Sequence, residues 1–326
     1  MGMSTPRHSA QPKDSSNQAN PTAQPVPSVI DTIADGLSLA LTFPIVLLVP
    51  VLVDAAFWSG VSISPNPLFA RWPDLRDSAD TLGWGADVLP IVALGLPSLL
   101  SSVNSNDVFA SSSSTVLTPG SWQLTVASIV GAALASTALT IIFRLPLALV
   151  VRKDRQSPRE FAAAIGLACI RLIGVFALIL GAILLIVSPL LVVSALLLVV
   201  GLNIAPFVVA VISIPAIAAA IYLTFTPDAI VLGNVGPLRA IYLSFNVVRR
   251  NFWATLSFIG SVILISEGLG VLWRAQISTP IGLLIGVLGN AFIGAGLGLA
   301  AMRFYSTRLD QWLAGSLADA GRPTTS

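Results

Sequence analysis

Between Arg171 and Asp228 the chain runs through 56 consecutive residues, Leu172 to Pro227, without one charged side chain. As a single helix that run would be roughly 84 Å long at about 1.5 Å per residue, against about 30 Å for the hydrocarbon core of a bilayer. It must therefore fold back on itself as a hairpin of two membrane spans. The natural turn is Gly201-Leu202-Asn203-Ile204-Ala205-Pro206, where Gly ends one helix and Pro restarts another. The rest of the chain agrees: 55 % of its 326 residues are hydrophobic and only 10 % are charged. A soluble domain carries about 25 % charged residues to cover its surface. The expected fold class is an all-α polytopic integral membrane helix bundle.

The remaining charge-free intervals give the other spans: Gly36–Phe57, Trp122–Phe143, Phe252–Trp273 and Ile281–Met302, six in all with the hairpin. Residues 1–28, rich in Pro, Ser, Gln and Asn, cannot bury enough apolar surface to offset their ordering entropy and are expected to be a disordered tail. They lack the apolar core of a signal peptide, so the first span is expected to stay as an uncleaved anchor. Residues 29–320 form one membrane domain with an outer loop at 59–121, and 321–326 form a second disordered tail. Within the loop, Val88–Val103 is apolar but short and interrupted by Pro90 and Pro97, which suits an interfacial or re-entrant piece better than a span.

Orientation follows from Lys and Arg. Arg152, Lys153, Arg155, Arg159, Arg239, Arg249, Arg250, Arg303, Arg308 and Arg322 fall on one side, and only Arg71, Arg76 and Arg274 on the other, ten against three. Both termini are thereby placed in the cytoplasm. A crossing at 88–103 would break the loop parity and erase this bias.

Several chemistries are excluded by scarcity. One cysteine, Cys169, rules out an intramolecular disulfide and a cysteine-clustered metal site. The one histidine, His8, lies in the tail. Neither a GxxxxGK[ST] phosphate loop nor a GxGxxG after a strand occurs. The formal charge of +2 is too small to argue for nucleic acid. No catalytic, cofactor or metal site is expected, and membrane lipids are the expected partners.

Three segments read as surface helices. Ser28 can cap a short one with Val29, Ile30, Ile33 and Leu37 on one face. In Leu238–Arg250 the residues Leu238, Ile241, Tyr242, Phe245 and Val248 share a face, while Arg239, Asn246, Arg249 and Arg250 spread over the other. Met302, Tyr305, Leu309, Trp312, Leu313 and Leu317 repeat the design beside Arg303, Arg308 and Asp310. Arg239, Arg249 and Arg250 are the candidate contacts to anionic lipid headgroups; plain anchoring is the alternative. Gly282, Gly286, Gly294 and Gly298 recur at steps of four or eight residues on the last span, a spacing that lets backbones approach closely, either within the chain or in a homodimer. A weak repeat sets Pro146–Val151 against Pro227–Leu232, with Arg171 aligned to Arg250. The rare carboxylates Asp54 and Glu267, with Arg274, make a candidate intramembrane polar site: each acid should face the bundle and find a partner. They either line an outward-facing vestibule or serve as structural carboxyls.

The string Gly236–Leu256 (GPLRAIYLSFNVVRRNFWATL) carries Gly236, Ala240, Ser244, Arg250, Asn251, Phe252 and Trp253. In these residues it resembles a signature of bacterial membrane families, among them the glycerophosphoryl diester phosphodiesterase membrane-domain family and the YciC-like inner-membrane group. Asp228-Ala229-Ile230-Val231 and the Gly-rich last span also fit, so the resemblance covers the second half of the chain. It implies a multi-pass protein of the bacterial cytoplasmic membrane. The loop at 59–121 departs from the pattern. The phosphodiesterase's catalytic barrel is absent, so its activity is not implied. The expected role is non-catalytic: accessory, scaffold or lipid-organising, with a small-molecule or lipid transporter built around a cavity between the repeats as the alternative. Reporter fusions after residues 155, 245 and 315 are expected to report cytoplasm, and those after 90 and 277 the outside. An outside signal at 155 contradicts the orientation.

Overall fold

Capping starts the ordered chain. Ser28 Oγ accepts the Asp31 N–H at 3.1 Å while the Asp31 carboxylate accepts the Ser28 N–H at 3.3 Å, a reciprocal box worth about 1 kcal/mol. From there helix α1 (Val29–Thr42) runs to Phe43. Pro44 has no N–H to give and pushes its predecessor out of the helical region, and Phe43 accordingly sits at φ −123°, ψ 70°. The chain resumes as a 3-10 turn (Pro44–Leu47) and helix α2 (Leu48–Trp58), bent by 96° from α1. The computed structural model describes residues 27–58, 61–69, 88–93, 95–102, 115–153, 157–200, 202, 205–276 and 279–320. Both tails, apart from residues 27 and 28, and much of the 59–121 loop lie outside the described residues.

The helices that follow are α3 (Asn66–Phe69), α4 (Trp122–Arg152), α5 (Pro158–Val199), α6 (Ala205–Leu223), α7 (Thr226–Gly233), α8 (Pro237–Arg250), α9 (Phe252–Arg274) and α10 (Pro280–Ala320). A two-residue-step parallel pairing joins Val61–Ile63 to Thr115–Leu117, with Val61 opposite Thr115. Five helical stretches are long and apolar enough to cross a membrane, six if the bent pair counts as one. This is a multi-pass membrane helix bundle, and the hairpin turns where expected, between Val199 and Ala205.

Helix α10 is the hub. Gly36 of α1 lies against the backbone of Gly296 and Ala300, and a Cβ built on Gly296 would stand 2.5 Å from Leu37 Cδ2. Asp35 accepts from Arg303 at 2.8 Å beside this seam. Farther along, Val51 and Phe57 pack on Leu283 and Val287. From Arg303 to Leu283 is 20 residues of α10, roughly 30 Å. The bent pair therefore meets α10 at two levels about that far apart, and α1 packs on the hub through its small residues.

The segment Val88–Val103, expected to be interfacial or re-entrant, packs against the bundle through its described residues. Val88 donates to the Ile63 carbonyl at 2.9 Å. The chain then dips until Gly95 (φ +84°) reaches Thr140 of α4 and Pro97 meets Gly294 of α10. Leu100 returns to the cluster of Leu283 and Val287. The last span's glycines are thus filled from within the chain: Pro97 at Gly294, Leu99 and Trp273 at Gly286, Leu147 and Phe143 at Gly298.

Two further expectations change. The residues from Met302 onward do not form a separate surface helix. No breaker interrupts α10, and Met302, Phe304 and Tyr305 are fully buried. In α8 the face laid on the bundle is Ala240, Leu243, Ser244, Val247 and Val248, whereas Leu238, Tyr242 and Phe245 stay exposed. The repeat is also unequal: α5 runs unbroken through Arg171, while its counterpart breaks at Asn251 between α8 and α9.

Close packing at the α1–α10 seam sets a direct expectation. Gly296→Ala should cost about 1–3 kcal/mol by overpacking. Gly131→Ala, where a Cβ would meet nothing within 4 Å, should gain roughly 0.5–1 kcal/mol of helix stability. Thermal midpoints in detergent should rank Gly131→Ala above the wild type and Gly296→Ala below it.

Candidate functional site

Asp54 lies on α2, fully buried. It accepts the Ser98 hydroxyl at 2.6 Å, the Leu100 N–H at 3.0 Å and the Leu99 N–H at 3.2 Å. Ser98 Oγ in turn accepts the Ser101 N–H at 3.2 Å. These donors open the 3-10 turn Leu100–Ser102, so the carboxylate caps that turn. It has the inward partners expected of it, one side-chain hydroxyl and two backbone N–H groups.

Glu267 behaves differently. Its side chain is 70 % exposed, and its nearest cation is Arg274 at 3.7 Å, two turns along the same helix. The two flexible side chains close that gap without any bend in α9. The structure therefore does not join Asp54 to Glu267 and Arg274. One acid, on α2, holds the turn at Ser98–Leu100; the other lies on the exposed surface of α9, where it does not face the bundle as expected.

Of the candidate headgroup contacts, Arg249 is exposed and Arg250 lies with its guanidinium carbon 5.1 Å from the Trp312 ring centre. Arg239 stands at an open depression of about 670 Å³ between α5 and α8, walled by Gly174, Ala177, Leu178, Gly236, Pro237 and Leu238. The bare backbone at Gly174 is what admits Pro237: a Cβ there would stand 2.9 Å from its Cγ. Below the groove, Arg171 donates to the side chain of Asn234, whose left-handed conformation (φ 48°) ends α7.

A second polar region escaped the sequence reading. Arg144 of α4 donates to Asp228 in the first turn of α7, and the carboxylate is 1 % exposed. Arg144 Nε has no partner among the described residues. Three residues apart on α10, Tyr305 is fully buried with its hydroxyl unpartnered, and Arg308 is 4 % exposed with Nε and Nη1 unpartnered, again among the described residues. The Arg308 guanidinium carbon sits 3.4 Å from the Phe304 ring centre. That cation–π contact is worth about 2 kcal/mol when desolvated, less than the several kcal/mol that burying the charge costs. Around these groups Phe225, Phe258, Phe304 and Tyr305 stack with ring centres 4.6–6.4 Å apart.

The missed residues did leave signals. Arg144 marks the end of a charge-free interval and looks like a span boundary, but Pro146 lies inside α4, which continues to Arg152. Asp228 stands one residue after the Pro227 that the repeat sets against Pro146, and Arg144 two residues before Pro146, so each charge lies beside the aligned proline of its own copy.

No family model matches the chain, and no curated protein or solved structure matches it.

The buried pair predicts a double-mutant result. Asp228→Leu or Arg144→Met alone should cost about 3–5 kcal/mol by stranding the other charge. The double variant should recover most of that loss. Additive losses in detergent unfolding would mean that the two residues do not act as a pair.

Proposed function

We propose that this chain is a non-catalytic membrane protein that organises lipid, as an accessory or scaffold, at the cytoplasmic face of a bacterial cytoplasmic membrane. The observation that carries this reading is the groove between α5 and α8. Its walls are apolar and shallow, and Arg239 stands at its rim. Each basic group near an anionic surface contributes about 1 kcal/mol. Helix α8 adds exposed Leu238, Tyr242 and Phe245 beside it, side chains suited to the acyl–headgroup boundary. The ten-to-three distribution of basic residues supports a cytoplasmic position for this face. The likeness of Gly236–Leu256 to the bacterial membrane-domain signature supports the choice of membrane.

A transporter is the second reading, favoured by the Arg144–Asp228 pair lying between the two repeat copies. Against it stands the aromatic packing of Phe225, Phe258 and Phe304 at the same level.

Lipid retention tests the first reading. Native mass spectrometry of protein extracted in mild detergent should show bound phosphatidylglycerol on the wild type. Arg239→Glu should lower its retention about fivefold, the equivalent of about 1 kcal/mol, and Arg249→Glu with Arg250→Glu should lower it further. Retention unchanged in all three substitutions would leave α8 a plain anchor and end the proposal.

A further inference from the structure

Helices α4, α7 and α10 pack against one another around two guanidinium groups and one carboxylate: Arg144, Arg308 and Asp228. Asp228 serves Arg144. Arg308 is 4 % exposed, lies against the face of Phe304, and has no hydrogen-bond partner for Nε or Nη1 among the described residues. Tyr305, three residues away and so on the same side of α10, holds a buried hydroxyl with no partner among the described residues. A buried cation is tolerated when an anion with several acceptor oxygens reaches it, and a guanidinium matches a phosphate with two parallel N–H donors. We propose that Arg308 and Tyr305 form an internal site for a phosphate-type oxyanion. Arg308 Nε and Nη1 are the bidentate donors and the Tyr305 hydroxyl is the third.

Depth favours a source. Arg308 lies 28 residues past Pro280 on α10, roughly 42 Å along the axis and beyond the hydrocarbon core. Its neighbour Trp312, held by Arg250, marks the same layer. Phosphate groups of lipids stand at that level, as does free phosphate from the cytoplasm. This site is separate from the groove at Arg239 and does not depend on it.

The test is the thermal midpoint of the full chain in neutral detergent, titrated separately with phosphatidylglycerol, phosphatidylcholine and inorganic phosphate. Phosphatidylglycerol should raise the wild-type midpoint, and Arg308→Gln should need about tenfold more of it. A response to phosphatidylglycerol alone assigns a lipid headgroup; a response to inorganic phosphate as well assigns a free oxyanion site. If Arg308→Gln fails to fold, Arg308→Lys keeps the charge without the bidentate fork and should need several-fold more ligand than the wild type. Equal midpoints with all three additives, an equal rise with phosphatidylcholine, or a wild-type response in both Arg308 variants would overturn the site. The Arg239→Gln background separates it from the groove. A response lost there but kept in Arg308→Gln belongs to the groove and also overturns the internal site.

Discussion

A peptide N–H stranded in an apolar interior costs several kcal/mol, and that constraint organises one end of this bundle. The segment from Val88 to Ser102 enters the bundle without forming a continuous helix. It can do so because Asp54 accepts the N–H groups of Leu99 and Leu100 and the hydroxyl of Ser98. The other requirement is room, and α10 provides it by omitting side chains where Pro97 and Leu99 arrive, at Gly294 and Gly286. The same helix receives α1 at Gly296 and Ala300. Carboxylate and glycines are one arrangement: the first satisfies the inserted backbone, the second admits it.

At the other end the interior is filled by rings rather than opened by glycine. Phe304 stacks on Phe258 at 4.6 Å and on Phe225 at 5.5 Å. This plug joins α7, α9 and α10 next to the Arg144–Asp228 pair. What remains accessible lies at the margin, in the groove between α5 and α8. Apolar walls with a basic residue at the rim are suited to holding lipid in place.

The spans were legible because charge is so rare here that its absence defines them; α5 ends at Val199 and α6 begins at Ala205, beside the expected turn, whose residues 201, 203 and 204 lie outside the described residues. Asp54 stood out for the same reason. Its partners did not, since backbone N–H groups carry no side-chain identity and come from a segment more than 40 residues away. Leu238, Tyr242 and Phe245 of α8 were grouped on one face suited to the headgroup layer, and they are exposed rather than laid on the bundle by the hydrophobic drive that operates in water. Lipid removes that driving force, because hydrocarbon accepts Leu or Phe as readily as the protein does. Small residues such as Ala240 and Ser244 therefore go inward, where they permit close approach, and Ser244 donates to the Tyr222 carbonyl at 2.7 Å. Arg308 was counted as a loop charge because the continuity of α10 beyond Met302 was not foreseen.

The lipid-organising account is tested most directly by a density map of the protein in a bilayer disc containing phosphatidylglycerol. It predicts an ordered acyl chain lying along Ala177 and Leu178 of α5 and Leu238 of α8, with its phosphate beside Arg239. A groove closed by protein, or one as featureless as the rest of the annular lipid, would contradict it.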